Sequence, residues 1–210
     1  SYKRRNKIAK KIGVFHQDFE AQYQTTTDFV SRMFENNLRD IEPYWVCLPM
    51  GSRCAVSNYQ MYWYPWDPDK EELWVRPMPK MPYIINMDNN PFDFYRYKMV
   101  QEDLYAEFGE WYSRQKKGKT ICLLGIRADE SLNRYRAYAN DRKTIMQGNQ
   151  WTTKMGENWW NAYPIYDWTT KDVWIANGKF DYDYNRIYDL FWKAGLSISQ
   201  MRVASPYHES

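Results

Sequence analysis

The sequence predicts an α/β fold: a parallel sheet flanked by helices, carrying an aromatic-rich insertion. Three observations predict it. Short apolar runs at residues 12–15 (IGVF), 41–48 (IEPYWVCL) and 121–126 (ICLLGI) have the length of buried strands. Stretches with apolar residues at threes and fours lie beside them, as amphipathic helices require. The first run, the helical stretch after it and the second run are joined by short connections, which is the βαβ pattern of a parallel sheet.

Residues 1–11 carry Lys3, Arg4, Arg5, Lys7, Lys10 and Lys11. This run reads as a solvated basic end, with a phosphate-binding arm as the alternative. The first strand, 12–15, runs into His16, Gln17, Asp18 and Glu20. The two acids could accept hydrogen bonds from a ribose or an adenine amino group, or could favour the start of the next helix through its dipole. His16 is one of only two histidines, a weak basis for metal or acid–base chemistry. Residues 23–35 have helical spacing, with Tyr23, Phe29, Val30, Met33 and Phe34 on one face and Thr25–Thr27 as capping candidates. The second strand, 41–48, closes at Pro49.

Residues 51–91 break the pattern. They are dense in Trp, Tyr, Pro and Met, and a structureless loop of that length is unusual inside a compact domain. The stretch reads as an insertion packing its own aromatics over the sheet end, either a lid or a surface for a protein partner. Asp67-Pro68-Asp69 reads as a turn. Residues 92–117 have the spacing of a long amphipathic helix, with Gly118 as its stop.

The third apolar run, 121–126, is expected to be a strand buried on both faces. It gives way abruptly to Arg127, Asp129, Glu130, Ser131 and Arg134. Charge placed just after a buried strand sits where open α/β sheets bind ligands, at the carboxyl ends of the strands. Gly125 would let backbone approach closely. Ser131 can cap a helix over 132–138, whose first free N–H groups attract anions. Arg127 and Arg134 could each clamp a phosphate or sulfate through two parallel hydrogen bonds. The competing reading is a surface βα-loop with local Arg–carboxylate pairs. Beyond it, 142–160 reads as an irregular hairpin with turns at Gly148 and Gly156. Thr169 and Asp172 form a capping box that starts a helix at Thr170. Residues 184–193 read as a last full helix stopped by Gly195, followed by one short helical piece in the tail.

Composition bounds the function. The 210 residues suit one domain, or one with a large insertion. No stretch approaches the roughly 18 apolar residues of a membrane span, and the basic first residues lead into no apolar signal segment. A net charge of +3 does not make the whole chain a partner for nucleic acid. Cys47, Cys54 and Cys122 contain no C-x-x-C pair, which argues against a disulfide framework, a zinc site or an iron–sulfur cluster and fits a reducing cytoplasm. The 11 Trp, 19 Tyr and 9 Phe suit core and interface packing or the stacking of nucleobases.

Two segments together, GIRADESLNR at 125–134 and YPIYDWTTKDVW at 163–174, resemble the paired signature of the phosphoadenosine phosphosulfate (PAPS) reductase family. VFHQDFEAQYQTTTDFV at 14–30 resembles that family's second strand and following helix. The resemblance spans most of residues 12–205 and is greatest to the PAPS reductase-like immunoglobulin-binding-regulator co-activators. It implies an adenine-nucleotide α-hydrolase-like fold and a single PAPS reductase-like domain over residues 1–210. By motif position it assigns Gly125, Arg127, Asp129, Glu130, Ser131 and Arg134 to the phosphosulfate or diphosphate, places Asp18 near the nucleoside, and leaves Asp167, Trp168, Thr169 and Asp172 as mostly architectural. The implied ligand is an adenine nucleotide, ATP or PAPS.

The departures are as informative. No SGGxDS phosphate loop occurs in the sequence, which begins about where the helix after that loop would end; either the chain is a fragment or the ancestral phosphate loop has been lost, and the implied domain lacks its phosphate-loop strand and helix. Losing such a loop removes charge-assisted hydrogen bonds of roughly 1.5–3 kcal/mol each. The E-C-G-x-H motif of the reductases is also missing, and the corresponding tail reads SISQMRV. Thiol-based sulfonucleotide reduction is therefore not expected of this chain. The second function class is a non-enzymatic regulator or co-activator acting through a protein partner at 51–91, or through nucleic acid.

Overall fold

A computed structural model describes residues 10–54, 56–140 and 142–203. Two compact units divide the chain, the first comprising Ser1–Gln101 with Asp183–Ser210 and the second Glu102–Tyr182. Of the basic run 1–11, all but Lys10 and Lys11 lie outside the described residues, as does the tail from 204. No helix among the described residues is long and apolar enough to cross a membrane.

The first unit is built on strands β1 (Ile12–Gln17) and β2 (Ile41–Val46), joined by helix α1 (Gln24–Glu35). The strands pair in parallel with Ile12 opposite Ile41 and Gln17 opposite Val46. The first helical turn of α1 has no side-chain cap, so none of the three threonines serves as one. The buried face of α1 is narrower than its spacing suggests. Phe34 is buried and Val30 packs on the core, whereas Tyr23 and Met33 are exposed.

The core is aromatic. Trp45, Val46, Cys47 and Leu48 are fully buried where β2 ends. Phe34 packs edge-on against Trp45 at 5.4 Å and stacks on Tyr83 at 5.7 Å. Each such ring removes roughly 150–250 Å² from water. Trp66, Trp74, Met78 and Met81 complete the same cluster, so much of the 51–91 stretch is core rather than lid. That stretch also holds strands β3 (Ser52–Arg53) and β4 (Tyr62–Trp63), an antiparallel hairpin, and a 3-10 segment at Pro68–Leu73. Strand β5 (Ile84–Ile85) pairs in parallel with β2, giving the sheet order β1-β2-β5. The third strand of this sheet thus lies inside the segment read as an insertion.

The helix expected over 92–117 begins only at Gln101, as α2 (Gln101–Lys116). Residues 92–100 form turns instead, their polar groups engaged by residues distant in sequence. Lys98 has φ +60°, outside helical geometry. The Tyr95 hydroxyl donates to the Pro49 carbonyl at 2.6 Å. Gly51 donates to Met99 and accepts from Gln101, at 2.8 and 3.2 Å. Helix α5 (Ile187–Lys193) belongs to this unit. The segment leading into it is tied to α1 by Asn185, which donates to the Thr26 hydroxyl at 2.8 Å, and by the Arg32–Asp183 ion pair at 3.1 Å. Gly195, at φ +81°, ends α5 as expected. The further helical piece expected in the tail is a turn at 198–200.

The second unit places β6 (Thr120–Leu123) parallel to β8 (Trp159–Ala162), with β7 (Thr152–Lys154) antiparallel on the far side of β8. Its sheet, in order β6-β8-β7, is mixed rather than parallel throughout, and β7 and β8 are the hairpin expected over 142–160. Helix α2 runs close to this sheet. A Cβ added at Gly109 would lie 2.7 Å from the Trp159 ring, so only glycine fits that approach. β6 is not buried on both faces: Ile121 is 48% and Leu123 66% exposed. Ile121 and Leu123 alternate along the strand and so share one face, and that face is left uncovered. β6 is an edge strand of this sheet, and its free edge has no strand neighbour among the described residues.

Candidate oxyanion site

After β6 the chain bends through a short 3-10 turn, Ala128–Glu130, into helix α3 (Leu132–Ala139). Ser131 caps α3, its hydroxyl accepting from the Arg134 amide at 3.3 Å. This places Arg134 four residues beyond Glu130, which itself lies three beyond Arg127. Arg127 Nε donates to Glu130 Oε1 at 3.0 Å, and Arg134 Nε approaches Glu130 Oε2 at 3.4 Å. Two guanidinium groups therefore meet the two oxygens of one carboxylate.

Residues of the 125–134 and 163–174 segments meet at this turn. Ala128 donates its amide to the Tyr166 carbonyl at 2.8 Å. Arg127 Nη1 donates to Thr170 Oγ1 at 3.2 Å, and the Thr170 amide donates to Asp129 Oδ2 at 3.4 Å. Tyr138 stacks on Tyr166 with centroids 4.1 Å apart. Helix α4 (Thr170–Phe180) starts here, set by a full capping box. The Asp172 amide donates to the Thr169 hydroxyl at 3.2 Å, and the Thr169 amide donates to Asp172 Oδ2 at 2.8 Å. Hydrogen bonds from the Thr169 hydroxyl, at 2.7 Å, and from the Thr169 amide hold the Asp172 carboxyl below the usual carboxylate range. Sequence reasoning missed Thr170. Its signal was its place at the first position of a capped helix inside the second signature.

Gly125 also lies on this turn, but close approach does not explain it. A Cβ there would meet only Ile165 Cδ1, at an ordinary 3.9 Å. Gly125, Arg127, Asp129, Glu130, Ser131 and Arg134 thus share one βα-turn of the second unit. The competing expectation of local Arg–carboxylate pairs describes the contacts the arginines make.

Asp18 belongs to the first unit and has different work. It is fully buried at the end of β1. Its Oδ2 accepts from the Trp45 indole at 2.9 Å, and its Oδ1 accepts from the Glu20 amide at 2.8 Å and from the Arg76 guanidinium. Glu20, at φ +61°, is buried as well. Its oxygens accept from the Trp66 and Val75 amides, at 2.8 and 2.9 Å. The Asp18 and Glu20 carbonyls accept from the Trp66 indole and Arg76 Nε. All four carboxylate oxygens are engaged inside the protein, on neither a helix terminus nor a solvent-facing cleft. Their effect is to fasten the 66–76 segment to the strand end. The Arg76 guanidinium lies 4.9 Å from the centre of the Trp66 ring, a favourable cation–π placement. Arg76 sits in the stretch read as an insertion, where no local pattern marks it as the partner of Asp18.

His16 is packed edge-on against Trp45 at 4.9 Å. Burial lowers its pKa to about 4, against the opposing pull of Asp18. Burial also raises the thiol pKa of Cys47 and of Cys122, which keeps both sulfurs protonated and poorly nucleophilic. Asp67 is held below the usual carboxylate range by hydrogen bonds from Lys98 and Tyr97, which outweigh its burial. Lys98 Nζ stands 2.8 Å from Asp67 Oδ2 and the Tyr97 hydroxyl 2.7 Å from Asp67 Oδ1, so Asp67 is a buried anchor at the head of an exposed turn.

No protein-family model matches the chain, and no solved structure matches it. Among curated proteins it is 36% identical over 203 residues to the uncharacterized protein YbdN of Escherichia coli (strain K12). That alignment covers 95% of this chain and 48% of YbdN. The chain therefore spans about half the length of the curated relative it matches.

Proposed function

We propose that this chain is a PAPS reductase-like domain that binds an adenine nucleotide or a phosphosulfate oxyanion, without the cysteine needed for sulfonucleotide reduction. The observation that carries the reading is the convergence of Arg127 and Arg134 on one carboxylate beside the start of α4. Guanidinium pairs of this kind match the oxygens of phosphoryl and sulfuryl groups. Thr170 holds Arg127 from the side, so the donor stays oriented when its acceptor changes. Asp18, with both oxygens engaged, supports the strand end rather than touching the nucleoside.

A phosphate loop of the SGGxDS type would come from residues outside this sequence. The outer edges of β1 and of β6 have no strand neighbour among the described residues, and such edges accept a further strand. The test is calorimetric titration with ATP and with PAPS, using the chain, its Arg127→Ala variant and a longer protein that includes the upstream segment. Saturable binding that weakens at least tenfold in Arg127→Ala is expected. Absence of saturable binding in both the chain and the longer protein would overturn the reading.

The second reading, a co-activator acting through a protein partner, is favoured by the β3–β4 hairpin. Its tip exposes Val56, Tyr59 and Met61 together, and clustered exposed apolar groups mark docking surfaces. Removing the whole 58–82 segment would destroy the core, because Trp66, Trp74 and Arg76 lie in it. The discriminating variant is Tyr59→Ser with Met61→Ser, which should abolish co-purification of a partner and leave nucleotide titrations unchanged.

A further inference from the structure

Glu130 occupies the space between the two arginines that an incoming oxyanion would take. Its Oε1 accepts from Arg127 and its Oε2 faces Arg134. The two guanidiniums of this turn are matched by two carboxylates, Glu130 and Asp129, so the turn as folded has no net formal charge. Asp129 is held by the Thr170 amide, whereas the polar partners of the Glu130 carboxylate among the described residues are the two arginines. Its side chain is 31% exposed and that of Arg134 49%, so the carboxylate has solvent to swing into.

We infer that Glu130 is an internal competitor that sets the specificity of the site, restricting it to multiply charged oxyanions such as a diphosphate or phosphosulfate group. This rests on the oxyanion reading above. A tethered carboxylate is present at high effective concentration, so a free monovalent anion of equal charge gains nothing by replacing it. Partly exposed ion pairs of this type are individually weak. A ligand with two or more charges and additional acceptor oxygens therefore displaces Glu130 readily. When Glu130 swings out, the turn gains net positive charge at the moment the ligand arrives. Arg127, held by Thr170, stays in position, and Arg134 follows the ligand.

The experiment is calorimetry at constant ionic strength on the 210-residue chain with inorganic pyrophosphate and with acetate. It compares the wild type, Glu130→Gln, Glu130→Ala and Arg127→Ala, each first shown to keep the wild-type circular dichroism spectrum. Wild type should bind pyrophosphate and not acetate. Both Glu130 variants should bind pyrophosphate about tenfold more tightly and acquire measurable acetate binding, while Arg127→Ala should lose both. Pyrophosphate binding that is unchanged or weaker in both Glu130 variants, with Arg127 still required, overturns the competitor role and leaves the oxyanion site standing. No pyrophosphate binding by any variant overturns the inference, and the oxyanion reading falls with it if the longer protein also fails to bind.

Discussion

Arg76 donates to the Asp18 carboxylate across 58 residues of sequence, closing a charged contact in which Asp18 is fully buried and only 12% of the Arg76 side chain is exposed. The contact joins the end of β1 to a segment that local pattern marks only as aromatic and proline-rich. Breaking such a pair from one side strands a charge in the interior. Arg76→Ala should therefore cost about 3–5 kcal/mol in a denaturant melt. In a double-mutant cycle, Asp18→Asn combined with Arg76→Met should cost clearly less than the sum of the single changes. Additive losses would show that the two side chains do not act as a pair.

His16 makes stability depend on pH. Its pKa falls from 6.5 to about 4 on folding because burial disfavours the imidazolium, with the Arg76 charge adding to the effect and Asp18 opposing it. The folded state holds the ring neutral. Its contribution is present above pH 6.5 and is lost as pH falls from 6.5 toward 4, where the unfolded chain binds the proton first. The loss should reach about 3 kcal/mol. Urea melts of wild type and His16→Phe at pH 7 and pH 4.5 should show a smaller drop in the variant. Equal drops would place the acid sensitivity elsewhere.

Gly109 and Gly178 give a contrasting pair of helical glycines. Alanine normally favours a helix interior over glycine by roughly 0.5–1 kcal/mol. At Gly178 in α4 nothing lies within 4 Å of an added Cβ, so Gly178→Ala should stabilise by that amount. At Gly109 the added carbon falls 2.7 Å from the Trp159 ring, and Gly109→Ala should destabilise by about 1–3 kcal/mol. Thermal melts of the two variants shifting in the same direction would contradict the close approach of α2 to β8.

The capping box of α4 holds Thr170 against Arg127. Thr169→Ala should lower stability by about 1 kcal/mol. Gly125→Ala, where an added Cβ meets only an ordinary contact, should leave stability near that of wild type. A loss at Gly125 comparable to that at Thr169 would show that the turn needs glycine after all.

Much of the local structure was legible in the sequence, because it depends on residues close together along the chain. The apolar runs at 12–15 and 41–48 are strands, the periodic stretch at 23–35 is a helix, and Thr169 with Asp172 caps another. The turn carrying Arg127, Glu130, Ser131 and Arg134 was legible for the same reason. Spacings of three and four residues place charges side by side once a helix begins.

The tertiary structure decided what distance in sequence conceals. The apolar run at 121–126 reads as doubly buried, yet the face carrying Ile121 and Leu123 is exposed, since a short apolar run cannot reveal whether another layer covers each face. The periodic stretch from residue 92 is not helical before Gln101, because Gly51, Pro49 and Asp67 take up its hydrogen-bonding groups. Asp18 looked poised for a ligand, and its choice of Trp45 and Arg76 became visible only when the chain folded back. The sequence by itself determined the elements and the charged turn. Burial and long-range hydrogen bonds, which depend on which segments meet, decided which of its charges are structural and which face solvent.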